Sequence, residues 1–106
     1  MSNIEVDGRT LELNEEGFLK DPQAWDEQVA RGLAKAEEGI DEMSDEHWAV
    51  VRFIRGYYLE HSLAPTVRAL CKASGVPLRR VYELFPSGPA KGACKVAGLP
   101  KPTGCV

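Results

Sequence analysis

The chain has 106 residues, 43% of them apolar and 27% charged, the balance of a single compact domain with a modest core. It has no apolar run long enough to span a bilayer and no basic-then-apolar leader after Met1, so it reads as soluble and cytoplasmic. The net charge of −3 conceals an asymmetry: residues 1–64 carry six Lys/Arg against fifteen Asp/Glu, whereas residues 65–106 carry seven against Glu83 alone. Either the two halves pair with each other, or the basic half is turned toward an acidic partner or an anionic substrate.

Ile4-Glu-Val-Asp-Gly-Arg-Thr-Leu-Glu-Leu13 alternates apolar and polar residues about Asp7-Gly8, a dipeptide that supplies the positive φ values of a tight turn. A small hairpin capping the helices is expected. Its apolar residues Ile4, Val6, Leu11 and Leu13 are expected to share a face only with a bulge or a longer loop. Asp21-Pro22 reads as an N-cap and first-turn proline of a helix carrying Trp25, Val29, Leu33 and Ala36 on one stripe and stopping at Gly39. Ser44-Asp-Glu opens the next helix, with Trp48, Val51, Ile54, Tyr58 and Leu59 as its stripe. His47 reads as a surface or cap residue rather than a ligand, and His61 as a residue set against the helix dipole.

Thr66–Ser74 and Pro77–Phe85, separated at Gly75-Val76, spell a helix-turn-helix with Arg68, Lys72, Arg79 and Arg80 on exposed faces. That unit supports a rival reading as a DNA binder, against which the acidic whole chain weighs. Arg79 and Arg80 are alternatively contacts for an anionic partner or for the chain terminus. Cys71 sits at helical spacing from Val67 and Ser74, the placement of a buried structural cysteine. Three cysteines and two histidines show no zinc-ligand spacing. An odd cysteine count without a leader favours reactive thiols in a reducing compartment.

Pro89 starts a last helix with Ala90, Ala93, Cys94 and Ala97 along one side. Beyond it Gly98, Pro100, Pro102 and Gly104 forbid regular helix. The domain is therefore read as residues 1–97, one helical body with the hairpin, followed by a mobile arm, residues 98–106, that carries Cys105. Extended, Gly98 to Cys105 spans roughly 26 Å at about 3.3 Å per residue. Folded back, it can bring Cys105 to the Cα separation of about 5.5–6 Å that a disulfide with Cys94 needs, a crosslink worth roughly 3 kcal/mol in the chain-entropy model. Lys91, Lys95 and Lys101 near the thiols are expected to favour thiolate.

The run from Tyr82 through Cys94 to Cys105-Val106, with Glu15-Glu16-Gly17-Phe18-Leu19, Glu46-His47-Trp48 and Ala64-Pro65-Thr66-Val67-Arg68, resembles the DsrC/TusE family over essentially the whole chain. The family includes the gamma subunit of dissimilatory sulfite reductase. The resemblance implies a small, mainly α, orthogonal bundle of about five helices, with no cofactor of its own. It further implies that Cys105 accepts sulfur and Cys94 resolves it as a trisulfide, which a membrane oxidoreductase complex then reduces to sulfide. The arm residues Gly98, Leu99, Pro100, Lys101, Pro102, Thr103, Gly104 and Val106 would enter the partner, the alpha and beta subunits of the reductase, which hold siroheme and iron–sulfur clusters. Arg68, Arg79, Arg80, Lys91 and Lys95 are candidate partner or anion contacts. Such a protein is a co-substrate rather than an enzyme on its own. The TusE branch relays persulfide toward tRNA thiolation through the terminal cysteine alone, so Cys94 counts against it here. The short turn between Gly75 and Val81 lacks the insertion of many oxidative-type relatives and points to sulfite reduction.

Overall fold

The computed structural model describes residues 2–99, Ser2 and Ala90 through their backbone only. An antiparallel hairpin of β1 (Ser2–Val6) and β2 (Arg9–Leu13) precedes α1 (Glu27–Glu38), α2 (Asp45–His61), α3 (Val67–Ser74) and α4 (Leu78–Leu84). The described chain closes with a π-turn, Pro89–Ala93, that runs into the short α5, Cys94–Val96. This is the mainly helical bundle with an N-terminal hairpin that the sequence leads one to expect. None of the described helices is long and apolar enough to cross a membrane.

The hairpin differs from expectation in one respect. Asp7 and Gly8 both adopt positive φ, 53° and 81°, so the turn is two residues long and pairs Val6 with Arg9 and Ile4 with Leu11. Directly paired residues share a face. Ile4, Val6, Leu11 and Leu13 therefore all point to one side with no bulge. That side lies on α1, with Leu19, Val29 and Leu33 completing a small apolar cluster. Gly32 permits the approach, since a Cβ there would stand 2.6 Å from Val6 Cγ2.

The start of α1 also moves. Asp21 caps only a 3₁₀ turn, Pro22–Ala24, by accepting from the Gln23 N–H. A second aspartate, Asp26, caps the helix proper by accepting from the Val29 N–H, and that bond chiefly holds its carboxyl below the usual range. Trp25 lies extended between the two caps rather than on the helix. The buried stripe is Val29, Ala30, Leu33 and Ala34, while Ala36 faces solvent. Gly39 ends α1 in the left-handed conformation, as expected.

Ser44 and His47 form a reciprocal cap on α2. The Ser44 N–H donates to His47 Nδ1 at 2.9 Å, and the Ser44 hydroxyl accepts from the His47 N–H. Because Nδ1 accepts, the proton sits on Nε2, which donates to the Leu84 carbonyl at 3.0 Å and so ties α2 to α4. The ring also meets Phe85 edge to face. Along α2, Val50, Val51 and Ile54 are buried, but Leu59 is 65% exposed and does not belong to the stripe. His61 occupies the last turn, beside the Tyr57 ring.

Thr66 caps α3, Gly75 ends it with φ 74°, and α4 begins after Pro77, so the two short helices stand where their punctuation places them. The larger core gathers Phe18, Ala30, Ala34, Val50, Val51, Ile54, Leu70, Val81, Phe85, Cys94, Val96 and Leu99. Burying each large apolar side chain contributes roughly 1.5–3 kcal/mol. Cys71, expected in this core, is only half-buried because its stretch of α3 packs through Leu70.

Two outcomes follow for stability. Replacing Gly32 with Ala gains about 1 kcal/mol of helix propensity but drives a methyl into the stiff, β-branched Val6. A net loss of about 1–2 kcal/mol in urea unfolding is expected, turning into a gain when the same change is made in a Val6→Ala background. His47 has its pKa lowered, chiefly by desolvation. The unfolded chain therefore takes up the proton first, and the stability His47 contributes is present above about pH 6.5 and lost as pH falls through its lowered folded value. Unfolding midpoints measured across that interval are expected to slope less in His47→Gln than in the parent.

Candidate functional site

Cys94 opens α5 and has no accessible surface. Its thiol is packed in the larger core, and burial pushes its pKa up to about 12. Among the described residues, Lys91 and Lys95 do not have the expected effect on this thiol. Lys95 Nζ instead lies 3.5 Å from Glu37 and 5.2 Å from the centroid of the Phe18 ring, while Lys91 is exposed. At rest Cys94 is a protonated, hidden thiol.

The end of α5 explains how it is held. A helix terminus leaves its last four carbonyls without intrahelical donors. Here the Leu99 N–H donates to the Cys94 carbonyl at 3.2 Å and the Gly98 N–H to that of Lys95 at 3.0 Å, the paired bonds of a Schellman turn. The remaining two carbonyls are met by side chains from far back in the chain. Trp25 Nε1 donates to the Val96 carbonyl at 2.9 Å, and Arg55 Nη1 to the Ala97 carbonyl at 2.9 Å. Arg55 Nη2 also donates to the Pro22 carbonyl at 2.8 Å, and its guanidinium stacks 4.3 Å from the centre of the Trp25 ring. Gly98 is required twice over: its φ is 74°, and a Cβ would collide with the Trp25 indole.

The segment leading into Cys94 is tied to the end of α1. Glu38 accepts from the Ser87 N–H at 3.0 Å and from the Ser87 hydroxyl at 2.7 Å, while Gly92 allows the backbone to approach Glu38 and Phe85. Gly17 likewise leaves room for Glu37, which holds Lys95.

The remaining expected site residues separate clearly. Gly98 and Leu99, expected to open the arm, belong instead to the packed body; Leu99 is 1% exposed, because it fills the core beside the Schellman turn. Pro100, Lys101, Pro102, Thr103, Gly104, Cys105 and Val106 lie outside the described residues. Arg80 is not available to an anion: it is bound to Glu46 at 2.7 Å and to Glu83 at 3.2 Å, and these carboxylates raise its pKa further. Lys95 is similarly committed to Glu37. Arg68, Arg79 and Lys91 are exposed and have no hydrogen-bond or ion-pair partner among the described residues. Trp25 and Arg55 were not singled out as site residues in the sequence, because they meet α5 across 71 and 42 residues.

The sequence of residues 5–106 matches the family model described as DsrC like protein. This chain belongs to the DsrC family. It is 46% identical, over the full length of both, to the protein named sulfite reductase, dissimilatory-type subunit gamma, of Nitratidesulfovibrio vulgaris. It is also 45% identical to the sulfurtransferase TusE of Escherichia coli, over 94% of this chain and 96% of that one. Among solved structures, the oxidised gamma subunit of the dissimilatory sulfite reductase from Archaeoglobus fulgidus superposes with a TM-score of 0.87 at 46% identity, covering 99% of this chain and all of that one. The DsrC of Allochromatium vinosum superposes with a TM-score of 0.81 at 44% identity, covering 99% of this chain and 98% of that one. Family membership and fold thus agree.

The raised pKa of Cys94 has a consequence at alkaline pH. The unfolded chain loses the thiol proton from about pH 9.0. The folded chain keeps its proton up to about 12. The stability this group contributes is therefore full below pH 9.0 and declines as pH rises toward 12. Urea unfolding between pH 8 and pH 10.5 is expected to show a decline that is shallower in Cys94→Ala, although that variant starts lower by about 1 kcal/mol for the lost sulfur contacts.

Proposed function

We propose that this protein is a cytoplasmic sulfur-carrier co-substrate of dissimilatory sulfite reduction, turning over nothing on its own. The observation that carries the reading is the second thiol, Cys94, at the last helix and eleven residues before Cys105. A relay that passes persulfide through a terminal cysteine alone needs no such thiol. With Leu99 packed, the six residues Pro100 to Cys105 still span up to roughly 20 Å, enough to enter a cleft in a partner and to return to the body. The partner in this reading is the pair of alpha and beta subunits of the reductase, consistent with the gamma-subunit relative aligned end to end.

In chemical terms, Cys105 takes up the sulfur derived from sulfite, and Cys94 then bonds to that same sulfur. The two thiols and the reductase each supply two electrons, the sulfite oxygens leave as water, and one zero-valent sulfur remains bridging both cysteines. Four further electrons and four protons, delivered by a membrane oxidoreductase complex, release sulfide and restore both thiols. Each sulfur–sulfur bond forms as a thiol attacks the oxidised sulfur and oxygen leaves as water, and each is later cleaved by the electrons that release sulfide. The exposed Arg68, Arg79 and Lys91 give the C-terminal half uncommitted positive charge to steer toward an acidic partner.

Intact-protein mass after sulfite turnover by a dissimilatory sulfite reductase with an electron donor tests this. A gain of one sulfur atom is expected in the parent and in neither Cys94→Ala nor Cys105→Ala as a stable bridge. A gain that needs Cys105 alone would shift the reading to a TusE-type persulfide relay. No gain in any variant would end the sulfur-carrier reading and bring duplex DNA binding by α3 and α4 to the front.

A further inference from the structure

The carrier reading makes Cys94 react, yet the structure hides it. Its thiol has no accessible surface, and Leu99, five residues on, fills the same core. Three ties hold the segment from Ser87 to Leu99 in place: Glu38 at Ser87, Glu37 at Lys95, and the Arg55–Trp25 pair at Val96 and Ala97. They are unequal. The Lys95–Glu37 contact is long, at 3.5 Å, and the Ser87 tie lies seven residues before Cys94. The Arg55–Trp25 clamp is built from bonds of 2.8–2.9 Å, those of Arg55 charge-assisted, and it closes the same turn to which the Cys94 carbonyl belongs.

We infer that Arg55 and Trp25 are positioning residues for Cys94. By holding the carbonyls of Ala97 and Val96 they keep α5 seated with its thiol in the core, and release of this clamp is the step that presents Cys94 for reaction. The last turn cannot unwind while both carbonyls are held, because the backbone that must rotate, Val96 to Leu99, is the backbone the clamp grips. The clamp reaches the exit of the chain from two independent parts of the fold, the turn Pro22–Trp25 and helix α2. A partner that competes for the guanidinium or the indole would thus open the thiol at the moment of docking. This rests on the carrier reading only for its biological meaning; the exposure of the thiol is testable without any sulfur donor.

The test is the alkylation rate of Cys94 by iodoacetamide in full-length protein carrying Cys71→Ser and Cys105→Ser, so that Cys94 is the one thiol. The reaction forms an S–C bond and expels iodide, and its rate follows the open population when reclosing is fast. Arg55→Ala is expected to speed it about tenfold or more, the loss expected for one charge-assisted bond to a buried acceptor. Arg55→Lys, which keeps the charge but not the fork, is expected to fall between. Trp25→Phe, which removes the Val96 bond but keeps a ring, is expected to speed alkylation severalfold and serves if Arg55→Ala does not fold. Ile4→Ala, which lowers stability from the hairpin, is expected to leave the rate near the parent value. Equal rates in the clamp variants and the parent would overturn the inference, as would a rise in Ile4→Ala matching that of Arg55→Ala. Neither result bears on the sulfur-mass experiment, so the two readings fail separately.

Discussion

The C-terminal end of the described chain depends on how four carbonyls at the end of a very short helix are satisfied. Buried backbone acceptors without partners are costly, and α5 has three residues with which to meet its own needs. The Schellman turn at Gly98 meets two of them locally. The other two require donors that local sequence does not contain, and the chain supplies an indole and a guanidinium. Arginine suits the role because its planar fork serves two acceptors at once, here Ala97 and Pro22, and its flat face stacks on Trp25. One side chain thereby links the turn before α1, helix α2 and the terminal helix. Desolvation lowers the Arg55 pKa, yet a guanidinium starts so high that it keeps its charge.

Charge organisation follows the same economy of position. The acidic N-terminal half does answer part of the basic C-terminal half, since Glu46 takes Arg80 and Glu37 takes Lys95, while Glu38 is spent on the neutral Ser87. Two of these acids end α1, so the helix that supports the hairpin also fixes the segment leading into Cys94. The pairing is incomplete, since Arg68, Arg79 and Lys91 remain at the surface. Internal pairing and outward-facing charge are both present, carried by different residues of one half-chain.

Local punctuation was legible in the sequence, and distant partnership was not. Gly39, Ser44, Thr66, Gly75 and Pro77 mark their helix ends because a cap or a left-handed residue acts within one turn. Asp21 misled because two aspartates five residues apart both cap, and the proline beside the first drew the helix start to it. Leu59 and Ala36 followed helical spacing but fall where no neighbouring element packs. The cysteine spacing identified Cys94, while its environment ran against the expectation from nearby lysines: proximity in sequence placed Lys95 beside Glu37 and Phe18 instead. Trp25 read as one more apolar residue of a helical stripe and nothing in the local sequence marks Arg55, since their meaning exists only once α5 is folded against them.

A hidden second thiol resolves a difficulty inherent in a sulfur carrier. With its pKa pushed up by burial, Cys94 stays a thiol rather than the nucleophilic thiolate, and the core shields it from stray disulfides and persulfides. A permanently exposed pair of thiols would instead be free to close on itself or on any small oxidant. Burial alone, however, would make Cys94 useless. What the structure adds is a lock of limited extent: a few hydrogen bonds at the end of one short helix and the burial of Val96 and Leu99, rather than the whole core. Opening that turn costs far less than unfolding the domain, because the hairpin, α1 and the α2–α4 packing need not move with it. The thiol is thus withheld by the fold as a whole but released by the last turn of the described chain.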